Sequence, residues 1–391
     1  MSEKKKLLFV INSLGIGGAE KSLSSLLNTL DFEKYDADLL MFSPAGAFIK
    51  LLPKQVHILP QLRFLKFNSS IKKQIAHPKY LAARLLASAG LRWSQRRKAL
   101  HPAQCYWKYA GWAFDNTEKE YDAAIAWGQG NPTHYVAEKV HALKKIAFIN
   151  ADYEAVGHNK DFDRPIYEKY HYIVCVSDKL SQIMKNVYPD MSDKIRTIYD
   201  INNAAVIERM AVEYNPFTED IAEMIIVSVG RLVEPKGFDL AISAAGNLNQ
   251  SKTNFRWYIV GDGPQRTELL QSITAAGLEE RVILTGAKEN PYVYINNCDI
   301  YVQTSRVEGY CLTIGEARIL NKPIVSTNFE VVYNQIRDGE NGLIAEMNGS
   351  CIADAILKIS KNESLRSHII NNLRREKKGN VEEIKKLYAI L

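Results

Sequence analysis

Short apolar runs recur along this chain, and most are followed by a stretch with helical spacing before the next run begins. That rhythm leaves few folds open. Parallel strands need a crossover long enough to hold a helix, so alternating strands and helices point to a parallel sheet covered on both faces. Residues 7–12, 36–42 and 56–59 read as the first three strands, with a helix over 21–30. Strands resume at 123–127, 145–149 and 172–176, and Ser177 stands where a helix N-cap belongs. Between them, about residues 60–114 interrupt the alternation, and 70–111 read as helical. A break at 202–219 holds asparagines, Pro216 and mixed charge. The pattern then restarts, with strands at 224–229, 256–260, 282–284, 300–303 and 323–326 and helices at 238–248 and 267–276, the latter stopped by Gly277. The expected fold class is α/β: two Rossmann-like domains, 1–205 and 216–375, with a charged helix over 376–391 able to pack back on the first. In open parallel sheets ligands sit off the carboxyl ends of the strands, so the cleft between two such domains is the expected site.

With 391 residues, 46% of them hydrophobic, the chain can give each domain its own core. No apolar run approaches the roughly 20 residues that span a bilayer. The apolar run after Lys6 is too short for a signal peptide. Cys105, Cys175, Cys298, Cys311 and Cys351 are scattered and odd in number, which suits reduced thiols in a cytoplasmic protein rather than zinc ligands or a disulfide framework. Asp36 and Asp38 have the D-x-D form that can hold a metal, but they stand at the head of a strand and read as structural.

Net charge is +6 and unevenly placed. Residues 39–114 contain no Asp or Glu but thirteen Lys and Arg, among them Arg63, Lys66, Lys72, Lys73, Arg92, Arg96, Arg97 and Lys98. Outside that window, 37 Lys and Arg face 44 Asp and Glu. Trp93, Trp107 and Trp112 lie among these cations. Basic residues mixed with aromatic and aliphatic ones suit an anionic membrane surface. Nucleic acid is the weaker reading, because no recognition motif accompanies the charge.

Residues 308–316 read Glu-Gly-Tyr-Cys-Leu-Thr-Ile-Gly-Glu, between a strand and an amphipathic run. A helix N-terminus offers free N–H donors to phosphate. A carboxylate on each side suits hydroxyls, which can donate to it. Phosphate in the middle and hydroxyls at both ends describe a nucleotide sugar. Residues 230–237 follow a strand and place Arg231 and Lys236 on one loop, where both can face one anion. Residues 15–20, Gly-Ile-Gly-Gly-Ala-Glu, open the first helix and suit close approach to phosphate or sugar; a dinucleotide oxidoreductase reading of this loop is weak, since Glu20 replaces the last glycine.

Taken in order, residues 230–237, 261–264, 308–316 and 338–342 resemble the motifs of the retaining family 4 glycosyltransferases of the GT-B fold, and the loop at 15–20 resembles the matching glycine loop. The resemblance covers nearly the whole chain. It implies a nucleoside diphosphate sugar donor, UDP before GDP, and a lipid-linked or cell-envelope polysaccharide acceptor. It implies no metal and no cofactor, and a place at the inner face of the cell membrane. By position, Glu316 would bind ribose hydroxyls and Glu308 the donor sugar. Arg231 and Lys236 would hold the diphosphate. The backbone of Tyr310, Cys311, Leu312 and Thr313 would donate to phosphate and sugar. Gly261 would belong to the donor turn, and Gly17 and Gly18 would approach from the other domain. One departure stands out. Where many relatives place a His after the strand at 145–149, this chain has Asn150-Ala-Asp152. Asp152 is expected to take part of that role, in a front-side mechanism that needs positioning more than a strong base. The alternative is a non-catalytic GT-B subunit that stabilises a partner enzyme.

Overall fold

The computed structural model describes residues 3–15, 17–68, 77–97, 100–217 and 224–391. Two compact units emerge, one formed by residues 1–15, 19–200 and 382–391, the other by 16–18 and 201–381.

The first unit holds β1 (Lys5–Ile11), β2 (Tyr35–Met41), β3 (His57–Ile58), β4 (Tyr121–Trp127), β5 (Ala142–Ile149), β6 (Tyr172–Cys175) and β7 (Ile195–Thr197). They form one parallel sheet in the order β3-β2-β1-β4-β5-β6-β7. The second unit holds β8 (Met224–Val229), β9 (Phe255–Val260), β10 (Val282–Gly286), β11 (Ile300–Gln303), β12 (Ile324–Thr327) and β13 (Leu343–Ala345), all parallel, in the order β10-β9-β8-β11-β12-β13. Each sheet reverses its order once, between β1 and β4 and between β8 and β11, and such switch points open a crevice at the carboxyl ends of the strands.

The central strands are apolar runs because both faces are covered; Leu7, Leu8, Phe9 and Val10 are all fully buried. In the second unit, alternate residues serve opposite faces. Ile226, Trp257 and Val302 pack under the helices Phe238–Gln250, Gly349–Lys361 and Glu363–Arg375. Val227, Tyr301 and Ile324 pack under Tyr292–Asn297 and Leu312–Ile319.

Four expectations are corrected. The first helix runs Gly18–Leu27 rather than 21–30. The stretch at 70–111 divides, over its described part, into Pro78–Arg97 and Pro102–Ala110. Pro102 disfavours helix at the residue before it, and His101 instead caps the second helix, donating its own N–H to Gln104. The break at 202–219 contains a helix, Ala204–Ala211, whose first turn donates from Val206 N–H to the Asn203 side chain; an asparagine read as loop is a cap. β7 and β13, three residues each, went unread because runs that short carry no period.

The segment Glu382–Leu391 packs within the first unit. Leu387 is fully buried, the Tyr388 ring stacks on Tyr35 at 5.0 Å, and the Tyr388 hydroxyl accepts from the Asp31 N–H at 2.8 Å. Lys5 and Lys144 donate to the carbonyls of Leu391 and Ile390.

The loop after β5 is anchored by a buried carboxylate. Asp163 is 3% exposed and accepts from His134 Nε2 at 2.9 Å, His158 Nδ1 at 3.1 Å and the Tyr153 hydroxyl at 2.8 Å. Burial pushes its carboxyl up, but the two histidines outweigh that and hold it well below the usual carboxylate range. Removing such a partner leaves buried polar groups uncompensated, so Asp163→Ala is expected to lower unfolding free energy by about 3 kcal/mol in urea titration. With a depressed folded pKa, the stabilisation is present above the unfolded value of 3.8 and is lost as pH falls below it. The gap between wild type and Asp163→Ala therefore narrows in acid.

Candidate functional site

β8 and β11 are neighbours at the second switch point, and the loops leaving them are locked together. β8 runs into a short turn, Glu234–Lys236, closed by Gly237 at φ 62°. A Cβ at Gly237 would stand 2.2 Å from the Thr304 carbonyl oxygen, so only glycine lets the loops meet. The Thr304 hydroxyl donates to the Lys236 carbonyl at 2.9 Å.

This contact brings Lys236 to Glu308. Lys236 Nζ donates to Glu308 Oε1 at 2.6 Å, the Ser305 hydroxyl donates to the same oxygen at 2.6 Å, and Gln303 Nε2 at 3.2 Å. The Glu308 side chain is 9% exposed. Among the described residues, Glu308 accepts on Oε1 alone, which leaves Oε2 for a ligand. Burial works against the Lys236 charge, but Glu308 overcomes it and holds the ammonium above the ordinary lysine value. Lys236 uses one of its three protons on Glu308, so two remain.

Gln303 joins this pair to the following helix. Its Oε1 accepts from the Tyr301 hydroxyl at 2.6 Å and the Thr313 hydroxyl at 3.0 Å, and its Nε2 also donates to Ser305 Oγ at 2.7 Å. The helix Leu312–Ile319 begins after Cys311, which sits at φ 69°, ψ 72° although it is not glycine. Such a residue costs about 1–2 kcal/mol, and this one is held in place. Gln335 Nε2 donates to the carbonyls of both Tyr310 and Cys311. Among the described residues the N–H groups of Cys311, Leu312 and Thr313 meet no protein acceptor. Three such donors in a row, at the positive end of a helix, make an anion seat. Glu316, on the same helix, is fully buried; burial first, then Glu316, pushes the Tyr292 phenol well up, while at Tyr301 burial and then Cys311 lead and Glu316 adds less.

Arg231 is exposed and, among the described residues, has no bonded partner for its guanidinium. Its charge bears on Lys236. Gly261 donates its N–H to the Gly286 carbonyl at 3.0 Å, so that amide is not open to a ligand. A Cβ at Gly261 would fall 1.8 Å from the Gly230 carbonyl oxygen; this glycine seats the Arg231 loop.

The second unit thus brings together Arg231, Lys236, Glu308, Tyr310, Cys311, Leu312, Thr313 and Glu316. Gln303, Ser305 and Gln335 went unread in the sequence. A signal was there for two of them: Tyr301, Gln303 and Ser305 alternate along one strand and its exit, and polar residues on a buried face ask for partners.

Gly17 lies in the turn after β1 and Gly18 opens the first helix, where a Cβ would meet nothing within 4 Å. Asn150 follows β5. Its side-chain Nδ2 and Oδ1 are both buried and bonded to nothing among the described residues. Asp152 Oδ1 accepts from the N–H groups of Glu154 and Ala155, each at 3.0 Å, so one oxygen caps the turn. Asp38 is structural: it accepts from Lys119 and the Tyr121 hydroxyl, both at 2.8 Å, and lies 3.3 Å from His57 Nδ1. Among the described residues no group of His, Cys, Asp and Glu has the geometry to hold a metal.

The helix Pro78–Arg97 has two apolar faces. Tyr80, Ala83, Ala87 and Ser94 are buried, while Ala82, Leu85, Leu86, Ala89 and Trp93 recur at helical spacing on the outside. Leu85 is 62% exposed, Leu86 49% and Trp93 46%. Arg63, Lys66 and Arg92 are exposed in the same segment. Lys72, Lys73 and Lys98 lie outside the described residues, and so do the side chains of Arg96 and Arg97. Among the described residues no helix is long and apolar enough to cross a membrane.

Comparison with known proteins gives relatives for this chain. Residues 215–376 match the family model described as glycosyl transferases group 1. Over 357 residues the chain is 26% identical to the N-acetylgalactosamine-N,N'-diacetylbacillosaminyl-diphospho-undecaprenol 4-alpha-N-acetylgalactosaminyltransferase of Campylobacter jejuni, covering 88% of this chain and 86% of that one. It is 27% identical over 216 residues to the poly(ribitol-phosphate) alpha-N-acetylglucosaminyltransferase of Staphylococcus aureus, covering 54% of this chain and 43% of the relative. In fold it is similar to Anabaena Alr3699/HepE solved with UDP and glucose, with a TM-score of 0.67, 18% identity and 98% of each chain covered. A TarM variant from S. aureus, solved with UDP among other ligands, gives a TM-score of 0.67 at 15% identity over 99% of each chain. Both chains share the GT-B architecture of paired parallel-sheet domains.

The Gly237 contact is open to a direct check. Gly237→Ala puts a Cβ against the Thr304 carbonyl at a positive φ, and is expected to cost at least ~2 kcal/mol in chemical denaturation. The same variant should loosen the Lys236–Glu308 pair, seen as a downfield-to-upfield change at the Lys236 Nζ in NMR.

Proposed function

We propose that this chain, a glycosyltransferase of the GT-B fold, moves a sugar from a UDP-sugar to a lipid-linked or cell-envelope polysaccharide acceptor with retention of configuration. The observation that carries this reading is the run of unpartnered N–H groups at Cys311, Leu312 and Thr313, flanked by Lys236 with Glu308 on one side and buried Glu316 on the other. It has the order of a nucleotide sugar: hydroxyls, diphosphate, hydroxyls. The relatives support the acceptor class, since one is named for a diphospho-undecaprenol substrate and another for poly(ribitol-phosphate). The UDP in the two solved structures supports the choice of base.

In the proposed reaction the bond from the anomeric carbon to the leaving phosphate oxygen breaks, and the acceptor oxygen bonds to the same face of that carbon. The acceptor proton passes to a leaving phosphate oxygen. Negative charge grows on the diphosphate, and the residues suited to stabilise it are Arg231, the two remaining Lys236 protons and the three helix amides. Glu308 Oε2 takes a hydroxyl of the donor sugar, and Glu316 those of the ribose. Asn150 supplies a carboxamide that can both donate to and accept from a sugar hydroxyl, with Asp152 Oδ2 beside it in sequence on the acceptor side. No metal enters this scheme. The acceptor lipid reaches the enzyme at an anionic membrane surface, where Leu85, Leu86 and Trp93 enter the interface and Arg63, Lys66 and Arg92 face lipid phosphates.

Hydrogen bonds to a charged group contribute about 1.5–3 kcal/mol, so Glu316→Ala is expected to weaken UDP binding about 10- to 100-fold by calorimetry, with GDP the weaker ligand for wild type. Unchanged UDP affinity in that variant removes the ribose assignment. A wild type that binds UDP-sugars yet never hydrolyses or transfers them would be the non-catalytic subunit instead.

The membrane surface has its own check. Leu85→Glu with Trp93→Glu should abolish flotation with anionic vesicles while sparing turnover on a soluble acceptor. Flotation at the wild-type level rejects the surface.

A further inference from the structure

The two loops at the first unit's switch-point side of β4 and β5 are joined by a side chain that no motif singles out. The β4·β5 ladder ends at the pair Trp127 and Phe148. Beyond it the chain enters Gly128-Gln129-Gly130, with φ 100° at Gly128 and 89° at Gly130, values that suit glycine and turn the backbone sharply at both ends of Gln129. The turn is itself fixed: the Thr133 hydroxyl donates to the Gly128 carbonyl at 2.9 Å and the His134 N–H to the Gly130 carbonyl at 3.0 Å. From this turn the Gln129 carboxamide reaches the loop after β5 with both ends. Its Oε1 accepts from the Asn150 N–H at 3.2 Å, and its Nε2 donates to the Ala151 carbonyl at 2.6 Å. The carboxamide thus takes the place of a strand neighbour and extends the ladder past the last backbone pair. Between its two contacts stands the Asn150 side chain, whose own carboxamide is buried and bonded to nothing among the described residues. A polar group kept from both water and protein calls for an explanation, and a ligand supplies one.

We propose that Gln129 is a positioning residue. It fixes the backbone of Asn150 and Ala151 so that the Asn150 carboxamide is held ready for a sugar hydroxyl. The inference rests on the transfer reading above. Asn150 touches substrate, and Gln129 acts only through it. Because a small misplacement of a contacting group can cost orders of magnitude in rate, the effect belongs in kcat. The nucleotide is held by the second unit's own residues, so donor KM should stay in place.

The test compares wild type, Gln129→Ala and Gln129→Glu in three readouts: kcat, donor KM with a UDP-sugar, and amide hydrogen exchange over residues 150–155. Gln129→Ala is expected to lower kcat about 10-fold or more, leave donor KM within about 2-fold, and speed exchange at Asn150. Gln129→Glu keeps the acceptor for the Asn150 N–H but sets a carboxylate oxygen against the Ala151 carbonyl, so it should not rescue kcat. Full kcat in Gln129→Ala overturns the role, as does a parallel loss of kcat, donor KM and thermal stability. Rescue by Gln129→Glu also overturns it. Failure of the reading beneath it looks different: exchange at Asn150 still speeds up in Gln129→Ala, but wild type turns over no nucleotide sugar, and the role falls with the reading.

Discussion

A nearly buried carboxylate must be compensated where it sits, and the second unit is organised around doing so for Glu308. Three donors converge on Oε1, one of them a full positive charge. Charge-assisted bonds of this length are the strong ones, and a carboxylate held away from water depends on such partners. The compensation has geometric consequences. Lys236 can reach Glu308 because Gly237 lets the Lys236 loop lie against Thr304. Gln303 can donate to Glu308 because its other oxygen-side contacts, Tyr301 and Thr313, fix its plane. The same glutamine therefore sets the carboxylate and the first turn of the helix Leu312–Ile319. The Glu308 carboxylate and the amides at that helix's start are tied together by one side chain.

Much of this was legible in the residues, and the limits of legibility have physical causes. The strand rhythm survives in sequence because buried parallel strands must be apolar throughout, as Leu7 to Val10 are. Residues 230–237 and 308–316 stood out because glycine, charge and spacing act locally. The helix Ala204–Ala211 was hidden by its own cap, since Asn203 serves loops and N-caps alike. Partnership across distant positions is where sequence falls silent. Nothing in the order of residues pairs Gln129 with the Asn150 backbone or Gln335 with the carbonyls of Tyr310 and Cys311. Asn150 itself drew notice only as a departure from a resemblance; what the structure adds is that its carboxamide is buried and, among the described residues, unbonded.

The two units divide the work by the kind of surface each offers. The second gives charge, helix amides and a glutamine, Gln303, bonded at both ends of its carboxamide, suited to a ligand with fixed stereochemistry. The first carries an outward apolar stripe and exposed cations on one helix and its neighbours, suited to a partner without fixed shape. Both rest on the same sheet design, and both put their unusual residues in the loops that leave the strands at the switch points.

The return of Glu382–Leu391 to the first unit bears on the order in which the chain can fold as it is made. Domains generally fold as they emerge during synthesis, N-terminal first. Here the nascent first unit has its seven strands early, yet it lacks the ring that stacks on Tyr35 and the hydroxyl that accepts from Asp31. Those arrive only after every strand of the second unit has been translated. The first unit is thus begun first and completed last, and the chain can be cut at residue 200 only by leaving one unit unfinished.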